Sequence, residues 1–394
     1  MEKAANKGKI AANTVYTIAG ALVLNGVLQI LVYPRLASEL GAEANGTVLY
    51  LMAFVNILGP SIGQALNNSR LVLRRDMDVS NGDFNLEILL YTALGAAVTL
   101  IAARNALPGG AAVLILLTNF RYYGDVEYRL SLNYRGFFIY YAICGAGYAA
   151  GYLLYRLTGA WYVIFLTGEA CALLYLAATG SVFRNFFARS PFFRAVLRKG
   201  SALVLSYFVT NLTLNIDRLY LKHALGGEAV TVYYVASLIG KTLVLFIAPV
   251  NVIVISYLTK SGERLDRRRF ARFAGIGCAA AAVFFLICEI GTPIFIRIFY
   301  PGLQEAVKPI LTVVTLTQIL AMLSAYLFII VLTFTSEKWQ LLLQVCHLGL
   351  VLVLIFLMTG KGGLGGFSAA VLIAGVARVA AVLVLGFAKS AKES

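Results

Sequence analysis

The sequence predicts an all-α, polytopic membrane protein with twelve transmembrane helices in two six-helix, pseudo-symmetric lobes around a central cavity. Composition is the first reason. Of 394 residues, 60% are hydrophobic and only 13% are charged, against roughly 45–50% and about 25% in soluble domains. The second reason is spacing. A spanning helix takes ~20 mostly apolar residues, so twelve of them with short loops use nearly the whole chain and leave no soluble domain. The third is an internal repeat, described below.

The spans start near Ile10, Gly46, Phe84, Ala106, Gly136, Ala160, Ser201, Val230, Phe273, Val307, Trp339 and Leu364, each bounded by Gly, Pro or charge. The first runs to Tyr33, too long for a signal-peptide core and without a small-residue cleavage site, so it is expected to stay in the mature protein. The fourth is the weakest. Its apolar part, Ala111 to Phe120, is short, so a membrane-length helix there must take in Arg121 and extend toward Asp125. The expected organisation is residues 1–182 as the N-terminal lobe, 183–200 as a cytoplasmic basic-aromatic linker and 201–394 as the C-terminal lobe.

Charge tests this map. In a multi-pass protein, Lys and Arg collect in the cytoplasmic loops. Here 22 of the 33 fall at the termini and in alternate loops, with eight in the intervening ones. Both termini are therefore expected in the cytoplasm. The repeat has the same register. Arg35-Leu36 and Leu40-Gly41-Ala42-Glu43-Ala44 follow the first span and precede a helix carrying Pro60; Arg218-Leu219 and Leu225-Gly226-Gly227-Glu228-Ala229 follow the seventh and precede a helix carrying Pro249. Six spans per half make this a parallel repeat, with both copies expected in outer loops. Pro60 and Pro249 each remove a backbone donor and are read as hinges.

Several classes of chemistry are excluded. Cys144, Cys171, Cys278, Cys288 and Cys346 lie in apolar stretches without C-x-x-C spacing, and neither His223 nor His347 is spaced with a Cys, so no metal and no cofactor is expected. Gly240-Lys241-Thr242 mimics the end of a phosphate-binding loop, but Val235 replaces its first glycine and the segment lies inside an apolar run. The net charge of +15 belongs to loops, and the basic-aromatic run from Phe183 to Lys199 reads as a linker in the anionic headgroup layer, with membrane lipid and not nucleic acid as its partner.

What remains are polar groups inside spans. Counted from Thr231, Lys241 lies ~15 Å below the outer surface, near the midplane. A charge there is a functional candidate, and a lysine paired with a carboxylate for packing alone is the other reading. Glu169 and Arg378 are also deep and read as a structural ion pair or as locally satisfied residues. Arg121 and Asp125 stand at i,i+4 spacing, able to pair on one helix face. Asp125, Glu127 and Glu169 are the candidates for ion coupling. Amides concentrate in repeat-related helices: Asn25 in the first span, Asn56 in the second, Asn215 in the seventh and Asn251 in the eighth. They read as interhelical hydrogen bonds or, more sharply, as the lining of a polar cavity.

The paired R-L…L-G-x-E-A segments, Asp217-Arg218-Leu219 through Tyr233-Tyr234 to Pro249, and Ile298-Phe299-Tyr300-Pro301 leading to Gln318 resemble the Wzx-type oligosaccharide-lipid flippases of the multidrug/oligosaccharidyl-lipid/polysaccharide (MOP) superfamily. The resemblance implies two lobes around a cationic cavity, alternating access, and export of undecaprenyl-pyrophosphate-linked repeat units for lipopolysaccharide or capsule. It implies H+ or Na+ as coupling ion and the polysaccharide polymerase machinery as an optional partner. In related lipid II flippases, basic residues of the first, second and eighth helices face the cavity. Lys241 matches the eighth, while Asn25 and Asn56 stand at mid-first and mid-second positions. The expected substrate-binding set is Lys241, Asn25, Asn56, Asn215, Asn251 and Arg121. A lipid II flippase or a MATE-like drug exporter is the nearest alternative. A membrane glycan polymerase or ligase is the alternative from another class, disfavoured by the short outer loops.

Overall fold

The computed structural model describes residues 2–103, 110–242, 266–332, 335 and 338–390. Among them there are helices and no strands. The order is α1 (Glu2–Gly26), α2 (Tyr33–Gly59), α3 (Ala65–Leu73), α4 (Asn81–Ala102), α5 (Gly110–Gly124), α6 (Val126–Leu130), α7 (Tyr134–Thr158), α8 (Tyr162–Thr179) and α9 (Phe193–Leu225). Next come α10 (227–242), α11 (Arg267–Phe299), α12 (Gln304–Val307), α13 (Leu311–Leu332) and α14 (Lys338–Lys389). Among the described residues seven continuous segments are long and apolar enough to cross a membrane. Two of these break at single glycines, Gly41 and Gly363, which makes nine helical rods; α5, α9 and the described part of α10 bring them to twelve, in the order of the expected spans. Pro249 and Asn251 lie outside the described residues.

The repeat has a backbone counterpart. Gly41 sits at φ 78° and Gly226 at φ 91°, positive values that glycine adopts freely because it has no Cβ. Each L-G-x-E-A therefore turns the chain at its glycine. The expectation of outer loops is corrected to this extent: helix continues on both sides, and the break is confined to one residue. Backbone hydrogen bonding explains the economy, since at membrane depth every exposed N–H and C=O is costly.

Two π-helical turns interrupt the first two rods, at Val27–Val32 and at Pro60–Gln64. The second begins at the proline, whose missing N–H loosens the ladder so that a wide turn fits. The described part of the fourth rod, α5, has 15 residues and takes in Arg121; the expected start near Ala106 lies outside the described residues. The predicted linker is partly helical: its last residues, from Phe193, form the opening turns of α9.

By packing, the chain divides into two compact units, Met1–Leu219 and Tyr220–Ser394. In the first, α7 and α8 meet closely because a Cβ at Gly147 would stand 2.7 Å from the Gly168 Cα and one at Gly151 would stand 2.6 Å from the Ile164 carbonyl. Small residues at one-turn spacing serve this approach where packing, not water, drives association. In the second, α11, α13 and α14 enclose Phe270, Cys288, Leu327, Ile330, Val331 and Val382.

The surface is inverted relative to a water-soluble protein. Leu157 is 83% exposed and Phe356 75%, while Arg121, Asp125 and Glu169 are buried at 4%, 1% and 2%. Apolar outside and charged inside is the arrangement a bilayer solvent selects.

Candidate functional site

The polar interior of the N-terminal unit is built from three helices. α5 brings Arg121, α7 brings Tyr140, Tyr141 and Tyr148, and α8 brings Glu169. The Arg121 Nε donates to Glu169 Oε2 at 2.6 Å, and the Tyr148 hydroxyl donates to Glu169 Oε1 at 2.7 Å. Tyr140 donates to the Arg121 carbonyl at 3.0 Å, and the guanidinium lies 4.2 Å from the centroid of the Tyr122 ring. Each carboxylate oxygen thus has a donor, which is what a buried ion pair needs to offset desolvation. One guanidinium nitrogen, Arg121 Nη1, is buried without a hydrogen-bond partner among the described residues.

This changes one expected pairing. Arg121 does not pair with Asp125 along its own helix, because α5 ends at Gly124 and the guanidinium turns to α8. Helical spacing shows which residues share a face, not which neighbouring helix that face meets. Of the two readings of Glu169 and Arg378, the locally satisfied one holds: Glu169 meets Arg121, and Arg378 donates to Gln344 at 3.2 Å.

Asp125 anchors a second cluster at the α5–α6 junction. It accepts from the Asn67 amide of α3 and from the Tyr141 hydroxyl at 2.9 Å, and forms an ion pair with Arg129 Nε at 3.3 Å. Asn67 also donates to the carbonyls of Tyr122 and Tyr123. Arg129 reaches Asn68 Oδ1 at 3.3 Å, and the Asn68 amide donates to the Tyr207 hydroxyl of α9 at 2.6 Å. Nearby the Asn211 amide donates to Ser61 Oγ in the π-helical turn at 3.2 Å. Hydrogen bonds thus link α5 to α3 through Asn67, and α3 and the π-helical turn to α9 through Asn68 and Ser61. A Cβ at Gly63 would overlap the Asn119 carbonyl, so this turn lies directly against α5.

The other expected site residues divide. Asn25 and Asn215 bond back into their own helices, to the carbonyls of Ala21 at 2.8 Å and Asn211 at 2.9 Å. Asn56 is half-buried on α2. Glu127 accepts from the Ser181 hydroxyl at 3.0 and 3.1 Å, beyond the end of α8. Lys241 is half-buried near the end of the described part of α10. The helix begins at 227 rather than at the expected Val230, which puts Lys241 ~21 Å along it. Gly240 beside it packs on Gln318 of α13.

Sequence reasoning missed the tyrosines. Their signal was there: Tyr141, Tyr148, Tyr152 and Tyr155 recur at helical spacing on one face of α7.

No protein-family model matches the chain, and no curated protein matches it by sequence. Solved structures do. An inward-facing multidrug resistance MATE family transporter of the MOP superfamily shares its fold at a TM-score of 0.64 and 15% identity, over 95% of this chain and 93% of that one. The lipid II flippase MurJ, in an inward closed conformation, gives a TM-score of 0.64 at 15% identity over 95% of this chain and 86% of the other. The Vibrio cholerae MATE transporter VcmN in its bent form gives 0.59 at 12% identity over 96% and 95%. At these identities the likeness is one of fold: the chain folds as these membrane transporters and this lipid flippase do.

Proposed function

We propose that the protein is a flippase that moves polyprenyl-pyrophosphate-linked oligosaccharide units from the cytoplasmic to the outer leaflet of a bacterial inner membrane by alternating access, driven by an ion gradient. The observation that carries this reading is the inverted interior. A sugar pyrophosphate cannot cross ~30 Å of hydrocarbon unaided, and helices that show lipid an apolar face while keeping amides, hydroxyls and charges inside offer a headgroup a path on which its own hydration is replaced.

Within this proposal Lys241 binds the pyrophosphate, and the amides of Asn25, Asn56, Asn215 and Asn251 serve the sugar hydroxyls. The substrate role expected for Arg121 changes to that of counter-ion to Glu169, because its guanidinium is already met there. Glu169, Asp125 and Glu127 remain the coupling candidates. Pro60, at the head of a π-helical turn, is assigned as a hinge, and Pro249 as its repeat partner.

Reconstituted protein should translocate a fluorescent polyprenyl-pyrophosphate oligosaccharide. Lys241→Ala should abolish this at unchanged melting temperature, and Lys241→Arg should keep part of it, since charge survives without the point-like ammonium. Transport of lipid II or of a cationic drug in its place would move the protein to one of its two nearest alternatives.

A further inference from the structure

Glu87 lies in the second turn of α4 and is 1% exposed, yet neither carboxylate oxygen has a hydrogen-bond partner among the described residues. It stands against Gly200 in α9: a Cβ on Gly200 would overlap the Glu87 carboxylate, so the carboxylate occupies the space the glycine leaves. The contact is one rung of a ladder. One turn before it, Asp83 accepts from the backbone N–H of Ser190 at 2.8 Å and of Ser80 at 3.0 Å. One turn after it, the Tyr91 hydroxyl and Ser201 Oγ lie 2.6 Å apart. Alongside, Asn81 donates to the Ser181 carbonyl at 2.7 Å and Asn85 to that of Val182 at 3.1 Å. The ladder fastens the linker and the start of α9 to α4.

The groups around Glu87 supply it no counter-charge. Asp83 on its own helix is of like sign. Arg198 and Lys199 beside Gly200 are exposed. Arg70 of α3, the buried cation of this region, donates to Tyr123 of α5 at 2.8 Å and to Asn81 at 2.5 Å. A buried carboxylate without a donor or cation is costly, whereas the neutral acid can lie against a glycine.

We propose that Glu87 is a proton-binding site: as the neutral acid it lets α4 close on the start of α9, and as the anion it takes up water and parts the two helices. The proton exchanges with solvent when the contact opens, and no other reactant is involved. The site goes beyond the flippase reading and rests on it only for its consequence in transport, where it gives protons a hold on the helix that follows the linker.

Infrared titration of the detergent-purified full chain tests it. The wild type is expected to show a carboxylic-acid carbonyl band that disappears as pH rises and is missing in Glu87→Gln. Hydrogen exchange over residues 197–204 is expected to accelerate with pH more in the wild type than in Glu87→Gln, which stays closed throughout. Should Glu87→Gln not fold, Glu87→Asp, which keeps the acid but draws it back from Gly200, should retain a titrating band and lose the excess exchange. A band indifferent to the substitution, or identical exchange profiles, would overturn the proposal. Neither readout involves translocation, so failure to move lipid-linked sugar would leave this site standing, and the reverse.

Discussion

In the N-terminal unit, α5, α7 and α8 close around Arg121, Glu169 and three tyrosines; in the C-terminal unit, α11, α13 and α14 close around Phe270, Leu327, Ile330 and Val382. Lipid tails are as apolar as leucine, so the second arrangement gains little from hiding hydrocarbon and depends on shape. The first depends on direction. Arg121 Nε and the Tyr148 hydroxyl each meet Glu169 in one orientation only, and that fixes the helices relative to one another more tightly than apolar contact does. The difference teaches that the unit holding the polar interior is also the one whose packing is set by polar contacts.

Substitutions sharpen this contrast, and the largest effect belongs to the ion pair. Arg121→Ala leaves Glu169 buried without its cation and is expected to cost about 3–5 kcal/mol, visible as lost folded yield. Replacing both partners, as Arg121→Met with Glu169→Leu, should restore most of the stability. If transport returns with it, the pair serves packing alone; if a stable double variant stays inactive, its charge is used.

The matching change in the other unit is Leu327→Ala. It removes side-chain contacts at a fully buried position and should lower stability by about 2 kcal/mol, the cavity part of a core truncation without the transfer part. Thermal melting should report it with no change in which lipid-linked sugar is carried. An effect as large as that of Arg121→Ala would erase the contrast between the units.

The smallest effect concerns the feature the two units share. Gly41→Ala meets no atom within 4 Å, so its cost is that of the backbone alone, φ 78° with ψ 166°, a conformation nearly confined to glycine and worth about 1 kcal/mol or more. Gly226→Ala should cost a similar amount. Unequal losses would show that the turns differ in what surrounds them, despite their common sequence.

The rods were legible because membrane length, glycine punctuation and the alternation of basic loops each constrain the same map. The buried charges were legible as residues but not as partners. Arg121, Asp125 and Glu169 were singled out by position, yet their pairing depended on how α5 turns at Gly124 and on tyrosines that composition had counted only as aromatic. Pro60 signalled its π-helical turn through a missing N–H; the turn at Val27–Val32 contains no proline and gave no such sign. Glu87 was passed over because it sits in the second turn of a helix where acidic residues are common, and only the closeness of Gly200 makes it unusual.

In the proposed function the polar interior receives an anionic lipid headgroup. The direct measurement is translocation by the wild-type protein in proteoliposomes, with a polyprenyl-pyrophosphate oligosaccharide and a cationic drug offered side by side. The account predicts transfer of the lipid-linked sugar, lost in Lys241→Ala without a change in melting temperature. Export of the drug alone, or normal flipping by a stable Lys241→Ala protein, would contradict it.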